Sequence, residues 1–263
     1  MTGRRGKTGR KPLLDVIRGI TLISMIAYHG AWDLVNLAGV SWPWYQSKGA
    51  FVWQQSICWT FILLSGFCMT LSVHKWKRGA TVFAAGLLVT GATLVFLPED
   101  RVVFGVLTFL GSAMLLTALL ERILEKIPAL PGLVLFAFLF YTSRWIGQGY
   151  LQLPGAGLFD LPSSWYHGNF MTYLGFQDPA FFSTDYFPLL PWIFLFWCGL
   201  ELGRLVRGSR IWRCSFWQID IPFLSAAGRS SLLIYLLHQP VLYMLTVLAT
   251  RYFPLTAFVI VIR

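Results

Sequence analysis

Four residues of one apolar segment near the N-terminus have side chains that could do chemistry: Asp15, Arg18, His29 and Asp33. His29 follows Arg18 by eleven residues, which on a helix is about 16 Å along the axis and close to the same face. Asp33 follows His29 at i+4, the spacing at which helical side chains meet. The pattern predicts a cation near one end of a helix and, deeper, a histidine whose tautomer a carboxylate holds for base catalysis.

A second apolar segment near the C-terminus, GRSSLLIYLLHQPVL, repeats this pattern. His238 follows Arg229 by nine residues, and Gln239 and Pro240 come directly after it. Proline cannot donate to the helix ladder, so it frees a carbonyl that needs another partner. We therefore predict that this polar, kinked segment around His238 lines a cavity.

Each of these residues also has a purely structural interpretation. Arg18 could extend its guanidinium to the lipid headgroups. His29 could form a hydrogen bond that joins two helices, and the segment around His238 could be a structural kink. Ionisable residues at membrane depth are nevertheless costly and rare, which is why they are treated as functional hypotheses.

The elements that must position these residues are membrane-spanning helices. Of the 263 residues, 56% are hydrophobic and only 12% charged, against about 25% charged in soluble domains, and the mean hydropathy is +0.63. The net charge of +10 is spread over short clusters between apolar segments, which argues against a nucleic-acid-binding protein. The predicted fold is an all-α polytopic membrane bundle of about seven helices. The spans fall at residues 13–37, 50–73, 80–97, 102–120, 130–147, 188–205 and 230–250.

The distribution of Lys and Arg predicts the orientation of these spans. Basic clusters fall on one side of the membrane, whereas the loop at residues 148–187 contains neither Lys nor Arg. The N-terminus is therefore predicted in the cytoplasm and this loop outside. The loop is rich in Gly, Pro and aromatic residues, and it could form either an interfacial aromatic belt or a lid and platform for an acceptor. The predicted organisation is a basic tail at residues 1–12 and one transmembrane domain at 13–263, ending in LTAFVIVIR, too short to span.

Three segments resemble signatures of a known family. The first is LLDVIRGITLISMIAYHGAWDL, the second is DYFPLLPWIFLFWCGLELG at 185–203, and the third is the GRSSLLIYLLHQPVL segment. In this order they resemble the heparan-alpha-glucosaminide N-acetyltransferase catalytic-domain family, in its bacterial branch. The resemblance implies a transmembrane acyltransferase that moves acetyl from cytoplasmic acetyl-CoA to a saccharide on the other side. It also implies location in the bacterial inner membrane.

The resemblance and the residues together predict a site. His29, Asp33 and His238 are the predicted catalytic residues, and Arg18 and Arg229 are predicted to bind the phosphates of CoA. The sequence contains no HExxH motif and no close His/Cys cluster, so no metal is predicted. The predicted partners are membrane lipid, acyl-CoA and an extracytoplasmic saccharide, with self-association left open. A proton-coupled transporter, a lipid or glycan flippase and a non-catalytic membrane subunit remain as alternatives, as does a covalent acyl-histidine step.

Overall fold

The computed structural model describes residues 10–252, which are mostly helical. The helices are α1 (Pro12–Asn36), α2 (Lys48–Met69), α3 (Lys75–Phe96), α4 (Val106–Leu119), α5 (Glu121–Leu124), α6 (Ala129–Ser143), α7 (Asn169–Leu174), α8 (Leu189–Gly208), α9 (Pro222–Arg229) and α10 (Ser231–Tyr252). Two short strands, β1 (Tyr150–Leu153) and β2 (Gly157–Asp160), form an antiparallel hairpin. Most of the predicted basic tail and all of LTAFVIVIR lie outside the described residues.

Six segments are long and apolar enough to cross a membrane: α1, α2, α3, α8, α10 and the stretch Ala129–Gln148, which contains α6. The prediction of an all-α polytopic membrane protein is therefore confirmed. The remaining predicted span, at residues 102–120, corresponds to α4, which has 14 residues, or about 21 Å at 1.5 Å per residue. It is shorter than the roughly 30 Å of bilayer hydrocarbon.

The described chain divides into two compact units, one formed by residues up to Phe61 and from Trp212 onward, the other by Ile62–Ile211. In the first unit, α9 runs antiparallel to α1 and α10 runs parallel to it. Asp15 is next to Gly228, whereas further along both long helices the rings of His29 and His238 are 5.0 Å apart.

The second unit also contains a parallel pair of long helices. Along α2 and α8, Leu63 contacts Gly199 and Phe67 contacts Gly203. Two spanning helices of one chain point the same way only if an odd number of crossings separates them. Between α1 and α10 the six long segments supply only four crossings, and between α2 and α8 only two. A crossing by α4 would account for both pairs, so the seventh predicted span stays a prediction.

Side chains from the segment that precedes α8 form hydrogen bonds with the backbone at the N-terminus of the short helix α4. The Asp185 carboxylate accepts the backbone N–H of Val106 at 3.0 Å, and Ser183 Oγ accepts that of Val103 at 3.0 Å. These contacts satisfy backbone N–H groups that have no partner within the helix, and lipid could not supply such hydrogen bonds. Burial raises the pKa of Asp185 to about 6, although its hydrogen bond with Val106 acts in the other direction.

The loop that was predicted to lie outside is a folded structure within the second unit. After the β1–β2 hairpin, Tyr166 donates a hydrogen bond to the Ile146 carbonyl at 2.5 Å, and Tyr186 donates to that of Thr172 at 2.6 Å. Asp178 accepts backbone N–H groups from Gly168 and Ala180, and these bonds lower its pKa. The aromatic belt and the acceptor platform both stay predictions.

Candidate functional site

The five predicted site residues all lie in the first unit, on α1, α9 and α10. A backbone contact between α1 and α9 fixes this arrangement. A Cβ atom on Gly19 would lie 2.2 Å from the Leu224 carbonyl oxygen, and one on Gly228 would lie 2.0 Å from the Asp15 carbonyl oxygen. Only glycine permits so close an approach, as is common between membrane helices.

Arg18 takes part in an ion-pair cluster at the N-terminal end of α1. Its Nη1 lies 2.9 Å from Asp15 Oδ1 and 3.4 Å from the Gly228 carbonyl oxygen, to which it donates. Arg10 pairs with the other oxygen of Asp15 at 2.5 Å. Two arginines and one aspartate leave the cluster with one net positive charge. Arg229, at the end of α9, is exposed to solvent.

His29 and His238 come together from α1 and α10. Their ring centroids are 5.0 Å apart and the rings are nearly perpendicular, at 75°. His238 Nδ1 lies 2.5 Å from the carbonyl oxygen of Tyr235. A carbonyl oxygen can only accept, so Nδ1 carries the proton and Nε2 of the neutral ring has a free lone pair.

Asp33 is fully buried, at 0% exposure, and its hydrogen-bond partner is on another helix. Gln239 Nε2 donates to Asp33 Oδ1 at 2.9 Å. Within residues 10–252, no hydrogen bond joins Asp33 to His29, although the i+4 spacing predicts their contact. The orienting role of Asp33 toward His29 therefore stays a prediction without direct support from the hydrogen bonds.

Buried polar atoms without partners are concentrated around this Asp33–Gln239 pair. The described residues contain five such side-chain atoms, and four of them belong here; these are Asp33 Oδ2, Tyr45 Oη, His238 Nε2 and Gln239 Oε1. Buried polar groups are normally hydrogen-bonded, so each exception requires an explanation. This cluster of four is therefore the candidate place for a polar ligand.

Tyr45 belongs to the short 3-10 helix that follows α1 (Pro43–Gln46). Its ring lies 5.2 Å from that of Tyr28, but its hydroxyl makes no hydrogen bond of acceptable geometry among the described residues. Burial, the Tyr28 hydroxyl and the charge of Asp33 all raise the pKa of Tyr45. Its hydroxyl therefore stays protonated at neutral pH and can donate as well as accept.

Residues 10–240 match the family described as heparan-alpha-glucosaminide N-acetyltransferase, catalytic. The chain belongs to this family. The matched region contains all five predicted site residues and Gln239. Comparison with curated proteins and with solved structures gave no match. Membership in this family implies an acetyltransferase, and the apolar helices make it an integral membrane protein.

Two residues of the polar cluster had no assigned role from the sequence. Gln239 is adjacent to a predicted site residue, and a glutamine at membrane depth is itself a signal, because its amide needs partners there. Tyr45 follows α1 in a segment rich in aromatic residues, WPWYQ. Nothing distinguishes its hydroxyl from an interfacial tyrosine until the fold places it near Asp33.

Proposed function

We propose that this protein is an acyl-CoA-dependent transmembrane acetyltransferase of the bacterial inner membrane. In this proposal, acetyl passes from cytoplasmic acetyl-CoA to a hydroxyl or amine of an extracytoplasmic saccharide. The observation that carries the proposal is the meeting of His29 and His238 near three further residues with buried polar atoms that lack partners, Asp33, Tyr45 and Gln239. Family membership supplies the reaction type.

The chemistry requires a base, which the histidine pair supplies. One imidazole takes the proton of the acceptor while its oxygen or nitrogen attacks the thioester carbonyl. A C–O or C–N bond forms, the C–S bond breaks, and CoA leaves as a thiolate that the imidazolium protonates. Neutral imidazole is the form that can accept a proton, and the tautomer of His238 leaves Nε2 available for this.

The donor would enter from the N-terminal end of α1. Arg18 lies eleven residues before His29, about 16 Å along the helix, a distance for the extended arm of CoA to cover. The Arg10–Asp15–Arg18 cluster retains one positive charge, and Arg229 is exposed. Charge-assisted contacts from these arginines would hold the phosphates. Because Asp15 already neutralises part of this charge, we expect Arg229 to contribute at least as much as Arg18.

The test is acetyl transfer by the purified protein in detergent or nanodiscs. Labelled acetyl-CoA is incubated with a panel of amino sugars and neutral sugars, and the labelled product is measured. His29→Ala and His238→Ala should reduce transfer while acetyl-CoA still binds. His74→Ala is the matched control, because this histidine is exposed in the turn before α3.

Two results would contradict the proposal. One is the absence of both acetyl-CoA binding and transfer in folded wild-type protein. The other is full transfer activity in both histidine variants. Proton uptake coupled to movement of a solute in liposomes, without any acetyl transfer, would instead support the transporter, since buried His and Asp residues also serve proton relays.

A further inference from the structure

We infer that His238, rather than His29, is the base that takes the proton of the acceptor, and that Asp33, Gln239 and Tyr45 hold the acceptor beside it. This inference rests on the proposed acetyl transfer and assigns the acceptor side of the site. The acceptor's X–H proton passes to His238 Nε2, the X–C bond to the acetyl carbon forms, and the C–S bond of acetyl-CoA breaks. The thiolate then takes the proton back from His238.

The first argument is the tautomer of His238. The Tyr235 carbonyl fixes its proton on Nδ1, so Nε2 is an acceptor that nothing among the described residues satisfies. The Tyr235 carbonyl belongs to the preceding turn of α10, so this helix orients the His238 ring by itself and no carboxylate is needed. His29 packs its ring against His238, which limits the orientations that the His238 ring can take.

The second argument is the kind of atoms that lack partners. Asp33 Oδ2, Gln239 Oε1 and His238 Nε2 are all acceptors, and Tyr45 Oη is both donor and acceptor. Such a set is complementary to a group that presents several N–H or O–H donors, not to an apolar chain or an anion. The Gln239–Asp33 hydrogen bond holds two of these oxygens at one place, which makes Gln239 a positioning residue.

The third argument is that the cluster lies toward the end of α1 that is predicted to be outside. Asp33 is three residues before the end of this helix at Asn36, and Tyr45 belongs to the connection that follows. The ion-pair cluster of Arg18 is at the other end. The donor and the acceptor would therefore reach the histidines from opposite ends of α1.

The experiment separates acceptor binding from the base. Acetyl transfer is measured with glucosamine, glucose and hydroxylamine as probes, and KM for the probe, KM for acetyl-CoA and kcat are determined. Tyr45→Phe and Gln239→Leu should raise KM for the sugar probes by about 3- to 10-fold, the effect of one lost hydrogen bond. KM for acetyl-CoA should not change.

His238→Ala should lower kcat by about 10²–10⁴-fold, as the loss of a general base does. Added imidazole, which fits the space left by the ring, should restore part of this activity. His29→Ala should lose less and should not respond to imidazole. Melting temperatures are measured on the same samples.

A matched control is available in Thr108→Val. Thr108 Oγ1 is the fifth buried atom without a partner, and it is on α4. Both Tyr45→Phe and Thr108→Val remove an unsatisfied hydroxyl, so neither should lower the melting temperature. Only Tyr45→Phe should change the KM for a sugar.

The outcomes are distinguishable. If the wild-type protein acetylates none of the probes and binds no acetyl-CoA, the proposed function is overturned and this inference with it. If transfer occurs but imidazole restores His29→Ala instead of His238→Ala, the assignment of the base is wrong. If Tyr45→Phe and Gln239→Leu transfer acetyl with unchanged sugar KM values, the acceptor subsite is wrong.

Discussion

Replacing Gly228 by alanine tests whether the contact between α1 and α9 holds the first unit together. The added Cβ would lie 2.0 Å from the Asp15 carbonyl oxygen, and real Cβ contacts below 3.0 Å essentially do not occur. The two helices must therefore separate by about 1 Å. Overpacking of this kind costs about 1–3 kcal/mol, which exceeds the roughly 0.5–1 kcal/mol that alanine gains over glycine in a helix.

The separation also affects the Arg18 cluster. Arg18 donates to the Gly228 carbonyl at 3.4 Å, already a long hydrogen bond, and a shift of α9 would break it. We expect Gly228→Ala to lower the free energy of unfolding by about 1–2 kcal/mol and to raise the KM for acetyl-CoA. Unfolding by SDS in mixed micelles measures the first quantity, and initial rates of acetyl transfer measure the second.

The matched control is Gly91→Ala in α3. A Cβ there would have no atom within 4 Å, so alanine should be neutral or should stabilise the helix. Equal effects of the two substitutions, or a Gly228→Ala variant as stable as the wild type, would refute the close contact. They would also remove the explanation for the placement of α9 against α1.

Three further predictions follow from other contacts. Burial raises the pKa of Asp185 from 3.8 to about 6. The stability that the protonated carboxyl contributes is therefore complete below pH 3.8 and is lost as the pH rises through 6. In an unfolding titration, the free energy of unfolding of Asp185→Asn should match that of the wild type at pH 4 and exceed it by at most about 3 kcal/mol at pH 7. Equal pH profiles would contradict this. The buried Glu201 pairs with Arg204 at 2.8 Å, so Arg204→Leu should cost about 3–5 kcal/mol and the double replacement by glutamine less; a neutral single variant would show that the pair is not buried. In intact cells, an impermeant thiol reagent should label a cysteine at Trp165 but reach the exposed Cys214 only after permeabilisation; the reverse pattern would invert the predicted topology.

The limits of the sequence prediction are clearest at Asp33. The i+4 rule correctly places Asp33 and His29 on one face of α1, but it describes neighbours on one helix only. The hydrogen bond that Asp33 accepts comes from Gln239, 206 positions away. Its formation depends on how α10 packs on α1, and no local pattern contains that information. The contact between His29 and His238 was not predicted from the sequence either, because it depends on the parallel packing of α10 against α1.

The helix α4 shows a different limit. The apolar run predicts a span at 102–120, whereas the helix begins at Val106. Hydropathy detects the apolar side chains, but the start of the helix is set by Asp185, which accepts the Val106 N–H from a segment about 80 residues away. The predicted last span at 230–250 agrees closely with α10 (Ser231–Tyr252), but the short helix α9 that precedes it was not predicted, because eight residues are too few for a hydropathy signal.

The same packing explains how four buried polar atoms can remain without partners. In a loosely packed protein, helices would rotate or slide until Asp33 Oδ2 and Gln239 Oε1 found donors, since an unsatisfied buried group costs about 1–3 kcal/mol. The backbone contact of α1 with α9 at Gly19 and Gly228 leaves little room for such a rearrangement, and α10 continues directly from α9. We therefore expect the two glycines to support the proposed acceptor subsite from outside it: by fixing α9 and α10 against α1, they would keep the acceptor atoms near His238 available for a molecule with hydrogen-bond donors.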